Sequence, residues 1–390
     1  MNNPINLDTL LIADEARSLQ KEDDDVINAT IGSIYDDKHQ FHAFETVTQS
    51  IQALPHMYPY TKPEGLLHVG DLWWEHLSKG SLSLPKKHIL TLGGTGALYL
   101  LYRSIATSKD IVINAVPTWN NNYQMLEHQG ITYDTFYMFN KENQYDLNTL
   151  KVKIDHALGV HEKVFILIND PAHNPSGYTM KKEEWLNLLE LLQSYQLKDR
   201  LFLINDMAYV DYADKTYDYF ALIHDHLKDL TMFMTFSGSK AFSLYGARVG
   251  MLVTVSNHVE LLNNIDHQTK YIARSTYSLP SSFGFQVIEH LFKYQYEVYT
   301  KELEVTKALL ESRVNELVKI LEDKKIQYLP YDHGFFMTIK TNQPIIIFER
   351  LKTHKIFTIP VEYGIRFAVS SLTSKDINKL KEILKLELFQ

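Results

Sequence analysis

Short apolar runs of strand length alternate with amphipathic stretches from about residue 87 to 255, the pattern of strands and crossover helices in a mostly parallel sheet. Lys163 to Ile168, Arg200 to Ile204, Met232 to Phe236 and Val249 to Val255 read as strands. Within 182–196, Trp185, Leu186, Leu188, Leu189 and Leu192 recur at helical spacing, which predicts a helix lying on one face of that sheet. Residues 281–322 hold no proline and one glycine, and their period predicts one long helix or two consecutive ones bridging two parts of the molecule. Further on, 334–340, 345–352 and 365–370 alternate between strand-like and helix-like patterns, and Ser374 is placed to cap a last helix ending near Leu386. The pattern predicts an α/β body followed by a smaller α+β part.

At 390 residues with 45% hydrophobic and 22% charged positions, the chain has material for more than one core. A net charge of −8 argues against general affinity for nucleic acid or anionic membranes, so any anion binds locally. The absence of cysteine excludes disulfides, thiolate nucleophiles and cysteine-ligated zinc, and fits a reducing compartment. The acidic N-terminus lacks the form of a secretion signal, and no run reaches the ~20 apolar residues of a membrane span. A cytoplasmic, soluble protein is expected.

Four segments carry candidate chemistry. Thr91 to Leu98, with Gly93, Gly94, Thr95 and Gly96, precedes the helix-like run Tyr99 to Ile105; free N–H groups at such a start suit a phosphate, although neither a Walker loop nor a dinucleotide fingerprint is complete. Ser237 to Gly250 gathers hydroxyls, Lys240 and Arg248 between two predicted strands. An aldehyde cofactor needs an amine for an imine and a guanidinium with hydroxyls for its phosphate, and one loop offers both. Asp206, with Tyr209 just beyond it, follows a strand-like run and is placed to keep a pyridine nitrogen protonated; capping a following helix is its ordinary alternative. In Asn169 to Gly177, two prolines and a glycine hold Asn174 toward a ligand, while His173 reads as a satisfied loop histidine. His224 and His226, two apart, do not share a helix face and make no metal pair.

Together, and in this order, these segments resemble fold-type I pyridoxal-phosphate enzymes, in particular the aspartate and aromatic aminotransferases of class I. Ile27 to Gly32, Tyr60, Pro117 to Asn120, Tyr271 to Pro280 and Arg366 to Thr373 extend the match over most of the chain. The resemblance implies a large cofactor-binding domain at 42–305, with 1–41 and 306–390 forming an N-terminal arm and small domain. It implies pyridoxal 5'-phosphate as cofactor, with Lys240 as its covalent anchor and proton carrier, Asp206 on the pyridine nitrogen, Asn174 and Tyr209 on the phenolic oxygen, and Trp119 stacked on the ring. Gly94, Thr95, Ser237 and Arg248 would hold the phosphate, with Tyr60 reaching over from the second subunit of a homodimer. Gly32 would pass the substrate carboxylate, Arg366 would grip it, and Arg274 would grip a side-chain carboxylate across the dimer.

The implied reaction is transamination between an aspartate, glutamate or aromatic donor and a 2-oxo acid such as 2-oxoglutarate. A β-lyase or decarboxylase would share the cofactor residues, and a catalytically silent relative would keep the fold. The sequence departs from the pattern at Gly93, where a serine often helps bind phosphate, and at Asn122 and Asn169, where histidines often stand near the aspartate and cofactor. These changes bear on tuning and substrate preference.

Overall fold

The computed structural model describes residues 8–54, 60–213 and 217–389. The helix Thr9–Gln20, N-capped by Asp8, leads into a short strand, β1 (Ile27–Asn28). The body is a seven-stranded sheet of β2 (Lys86–Leu92), β3 (Ile111–Val116), β4 (Thr132–Tyr137), β5 (Val164–Asn169), β6 (Leu201–Asp206), β7 (Thr231–Ser237) and β8 (Val249–Val255). Their order is β2-β8-β7-β6-β5-β3-β4, and only the pairings of β8 with β2 and β7 are antiparallel. The predicted strands are present with shifts of a residue or two at their ends.

The central strands read as nearly continuous apolar runs because helices cover both faces of the sheet. Phe165, Phe202, Phe233 and Leu252 face a core shared with the helices Gly93–Ile105 and Val259–Thr276. Ile166, Leu203, Met232 and Met234 face the opposite core, which Leu188 and Leu189 of the helix Lys182–Ser194 complete. Each fully buried side chain of this kind is worth about 1.5–3 kcal/mol of transfer free energy.

A second sheet, ordered β11-β12-β9, joins β9 (Phe336–Lys340), β11 (Ile359–Val361) and β12 (Gly364–Ala368) in antiparallel fashion, while β10 (Ile356–Phe357) pairs parallel with β1. Its core takes Ile12 and Ala16 from the first helix and Ile347 and Leu351 from the helix Pro344–Thr353. Residues 281–322 form two helices, Ser282–Tyr294 and Tyr296–Asp323, separated at Gln295. The longer one sends Tyr299, Leu303 and Leu310 into the large core and Val314, Leu317 and Leu321 into the small one.

Three local expectations need correction. The helix after β2 begins at Gly93 itself, not beyond the small residues, because packing against Arg248 and Ser237 outweighs the low helix propensity of glycine. Thr373, not Ser374, caps the last helix: it accepts from the Asp376 N–H (3.1 Å) while the Asp376 carboxylate accepts from the Thr373 N–H (2.9 Å), and Asp37 engages Ser374 instead. That helix ends at Ile383, short of Leu386.

Candidate active site

Asn169, Asp206 and Ser237, the last residues of three adjacent strands, open together into a cavity of about 440 Å³ at the carboxyl edge of the sheet. Ligands of open α/β sheets sit at this edge. The first turn of the helix Gly93–Ile105 closes one end and β9 and β12 of the smaller sheet close another, through Phe336 and Arg366.

The first end is built for an anion. Gly94 and Thr95 bring the amino end of a helix to the cavity, beside Ser237 and Ser239. Arg248 donates to Ser239 Oγ (3.1 Å) and to the Tyr245 carbonyl (2.8 Å), which fixes its guanidinium there. Gly93 has a φ of +78°, and a Cβ on it would lie 2.5 Å from Arg248 Nη2. The guanidinium therefore lies over a position where a side chain would collide with it. A Cβ on Gly94 would press on Ser237 at 3.3 Å, so small residues keep this end open.

The acid stands elsewhere in the cavity. Asp206 accepts from Thr235 Oγ1 (3.0 Å) and from the Ala208 N–H two residues on. Burial pushes its carboxyl up to about 6, against the pull of these two donors. It caps no α-helix: a 3-10 turn, Val210–Tyr212, comes next, and Asp218 caps the helix Tyr219–His226 beyond it. Asn169 donates to the Asp206 carbonyl (2.6 Å) and accepts from the Asn174 N–H (2.7 Å), so one asparagine ties two neighbouring loops together. Behind it Asp170, buried and pushed up to about 7 by that burial, accepts from the Met180 N–H (2.7 Å) and Trp185 Nε1 (2.9 Å) and anchors the turn that presents Asn174. His173 faces Ser176 Oγ (2.8 Å) and burial takes it down to about 3, so it is a neutral loop histidine.

Lys240 lies in the short helix Gly238–Ala241 after β7 and donates to the Gly32 carbonyl (2.7 Å), with its ammonium position 4.7 Å from the Tyr245 ring centre. Burial first, then the charges of Arg366 and Arg248, lower it to about 7. Gly32 is required by closeness, since a Cβ there would meet Phe336 at 2.3 Å. Arg366 donates to Asn174 Oδ1 (3.3 Å) and to the Thr30 carbonyl, lies 4.4 Å over the Phe336 ring, and keeps its Nε without a partner. Burial lowers it to about 10, and it remains a cation at neutral pH. Burial also raises the phenol of Tyr209, next to Asn174, well above its ordinary value. Trp119 lines the cavity as well.

Eleven of the thirteen expected site residues thus line one cavity, and Tyr60 and Arg274 do not. Tyr60 is 93% exposed, and Arg274, also exposed, lies in the last turn of the helix Val259–Thr276 and donates to Ser278. Their segments adjoin, because Thr61 donates to the Pro280 carbonyl (3.2 Å). The sequence reading missed Ser239, Tyr245 and Phe336, and the contribution of Asp8, Thr9 and Leu10 to the cavity mouth. Ser239 was recoverable from its place beside Lys240; the others reach the site only through tertiary packing.

The chain is 28% identical to the tyrosine aminotransferase of Klebsiella pneumoniae over 264 residues, 64% of this chain and 63% of that protein. Its fold matches an aminotransferase structure from Anaerococcus prevotii with a TM-score of 0.91 at 26% identity, covering 98% of this chain and 96% of that one. It matches the aromatic-amino-acid aminotransferase of Burkholderia pseudomallei, covalently bound to pyridoxal phosphate, with a TM-score of 0.82 at 19% identity over 100% and 99% of the two chains. The profile of the family described as aminotransferase class I and II matches residues 24–384, and the chain belongs to that family.

Proposed function

We propose that this chain is a pyridoxal-phosphate-dependent aminotransferase that exchanges amino groups between aspartate, glutamate or aromatic amino acids and 2-oxo acids. The observation that carries the reading is one cavity holding a lysine lowered to about 7, a half-buried aspartate raised to about 6 and a helix start with an arginine beside it. The residues suit the cofactor at each of its groups: Gly94, Thr95, Ser237, Ser239 and Arg248 for a phosphate, Asp206 for a ring nitrogen, Asn174 and Tyr209 for a phenolic oxygen, and Trp119 for a ring face. When bound, pyridoxal phosphate supplies an electron sink for the charge left as a substrate loses its α-proton.

The chain's own residues do the rest. Lys240, neutral in a large fraction near pH 7, anchors the cofactor and then takes and returns the proton at the substrate Cα. Arg366 holds the α-carboxylate through its unpartnered Nε and its terminal nitrogens, a fork that fixes orientation as well as charge. Asp206 holds a proton on the ring nitrogen, and Phe336 shields the Arg366 pair from water. In a homodimer, Tyr60 and Arg274, both exposed in the single chain, complete the partner's phosphate and side-chain sites. The same reading divides the chain into a cofactor-binding domain at 42–305 and a small domain with its arm at 306–390 and 1–41.

The test is a half-reaction. Protein loaded with pyridoxal phosphate should lose its bound-cofactor absorbance on adding aspartate, glutamate or tyrosine without keto acid, and regain it with 2-oxoglutarate, yielding one oxo acid per amino group transferred. Release of carbon dioxide, or of ammonia with pyruvate, would assign a decarboxylase or β-lyase instead, and no spectral change with any donor would mean a silent protein.

A further inference from the structure

The strand register puts one more side chain against the acid of the site. β6 and β7 run parallel with Asp206 directly opposite Thr235. Neighbouring strands lie about 4.8 Å apart, a gap that a hydroxyl can bridge. Thr235 Oγ1 donates to Asp206 Oδ1 at 3.0 Å, and Thr235 itself is wholly buried. Its β-branched side chain has little rotamer freedom in a packed strand, so the donor is held in place. The two asparagines that replace histidines near the cofactor do not serve the carboxylate. Asn122 donates to Thr118 Oγ1 (3.1 Å), and Asn169 donates to the Asp206 main-chain carbonyl. Among the described residues, Thr235 is the one side chain that hydrogen-bonds the Asp206 carboxylate.

We propose that Thr235 is a positioning residue of this site, whose hydroxyl orients the Asp206 carboxylate, favours its ionised form and leaves its second oxygen for the ring nitrogen of the cofactor. The proposal rests on the reading of Asp206 given above. A neutral hydroxyl bonded to a charged acceptor away from water is one of the stronger protein hydrogen bonds, and it acts only on the ionised form. The titratable groups around Asp206 are few. Tyr102, from the helix Gly93–Ile105, and Tyr209 are both raised by burial and by the Asp206 charge, and stay neutral through the working range. Lys240 shares the cavity.

The experiment uses the carboxyl carbon of labelled aspartate, followed by NMR through a pH titration of the cofactor-free protein, with the Asp206 signal assigned by its loss in Asp206→Asn. Thr235→Val keeps the shape and removes the donor. Its Asp206 midpoint should lie about one pH unit above that of wild type, and pyridoxal phosphate should bind about tenfold more weakly. Thr235→Ser should return both values toward wild type. Thr235→Ala gives the same comparison if the valine variant does not fold. An unchanged midpoint in a folded valine or alanine variant overturns the proposal, and so does a shift that serine fails to reverse, since packing alone would then be the cause. Wild-type protein that does not bind pyridoxal phosphate overturns the proposal together with the reading beneath it. An unchanged midpoint with normal cofactor binding overturns Thr235 alone.

Discussion

A half-buried lysine that feels the charges of two arginines is a weaker base than one on the surface. Lys240 sits at about 7, whereas an exposed lysine titrates near ~10.4. Below ~10.4 the unfolded chain binds a proton that the fold resists, so the stability penalty grows as pH falls toward about 7 and is complete below it. The free amine, by contrast, accumulates as pH rises through the same midpoint. The rate at which cofactor-free protein captures pyridoxal phosphate covalently should therefore climb between pH 6 and 8 with a midpoint near 7, and borohydride reduction should trap the label on Lys240. A rate that rises only above pH 9 would show an ordinary lysine. Lys240, Asp206 and Arg366 were legible in the sequence because chemically distinctive residues stand in recognisable segments. Phe336 was not, since an aromatic ring in an apolar pattern reads as core until the fold brings it over an arginine, and Tyr245, although in the lysine's own loop, shows its place beside Lys240 only once that loop is folded.

Elements were legible wherever period and burial agreed. β5 to β8 and the helix Lys182–Ser194 follow from their apolar spacing because packing on the sheet asks for that spacing. The start of the helix Gly93–Ile105 was not legible, because three glycines in its first turn argue locally against a helix and it is tertiary packing against Arg248, β7 and β8 that asks for small residues there. Those same contacts make Gly93 sensitive. Gly93→Ser should cost about 1–2 kcal/mol from its left-handed backbone alone. The new side chain also displaces Arg248, so pyridoxal phosphate affinity should fall more than thermal stability predicts. Equilibrium denaturation and cofactor titration on one preparation check both effects, and undiminished affinity would mean that Arg248 does not lie where the phosphate binds. Thr373 and Ser374 are indistinguishable as caps in the sequence for a related reason: either hydroxyl can cap, and the placement of Asp376 and Asp37 decides between them.

For the whole molecule, two sheets with separate cores follow the change of pattern along the chain, and the homodimer proposed above makes a complete site depend on a second copy. Inactive Lys240→Ala chains mixed with Arg274→Ala chains should regain part of the dicarboxylate activity by forming one intact site per mixed dimer. Arg274→Ala alone should lose ~30- to 1000-fold in kcat/KM for aspartate and glutamate, the size of a truncated buried charge pair, with much smaller losses for tyrosine and phenylalanine. No recovery despite subunit exchange would place Arg274 outside the partner's site. The helix Tyr296–Asp323 has a consequence for the molecule as a thermodynamic system, because its buried side chains belong to both cores. Neither core can melt without fraying the rod it shares with the other. A ligand held at the strand ends therefore shifts the unfolding equilibrium of Leu317 and Ile347 as well, although it touches neither, and heating the loaded protein should meet one linked transition rather than two.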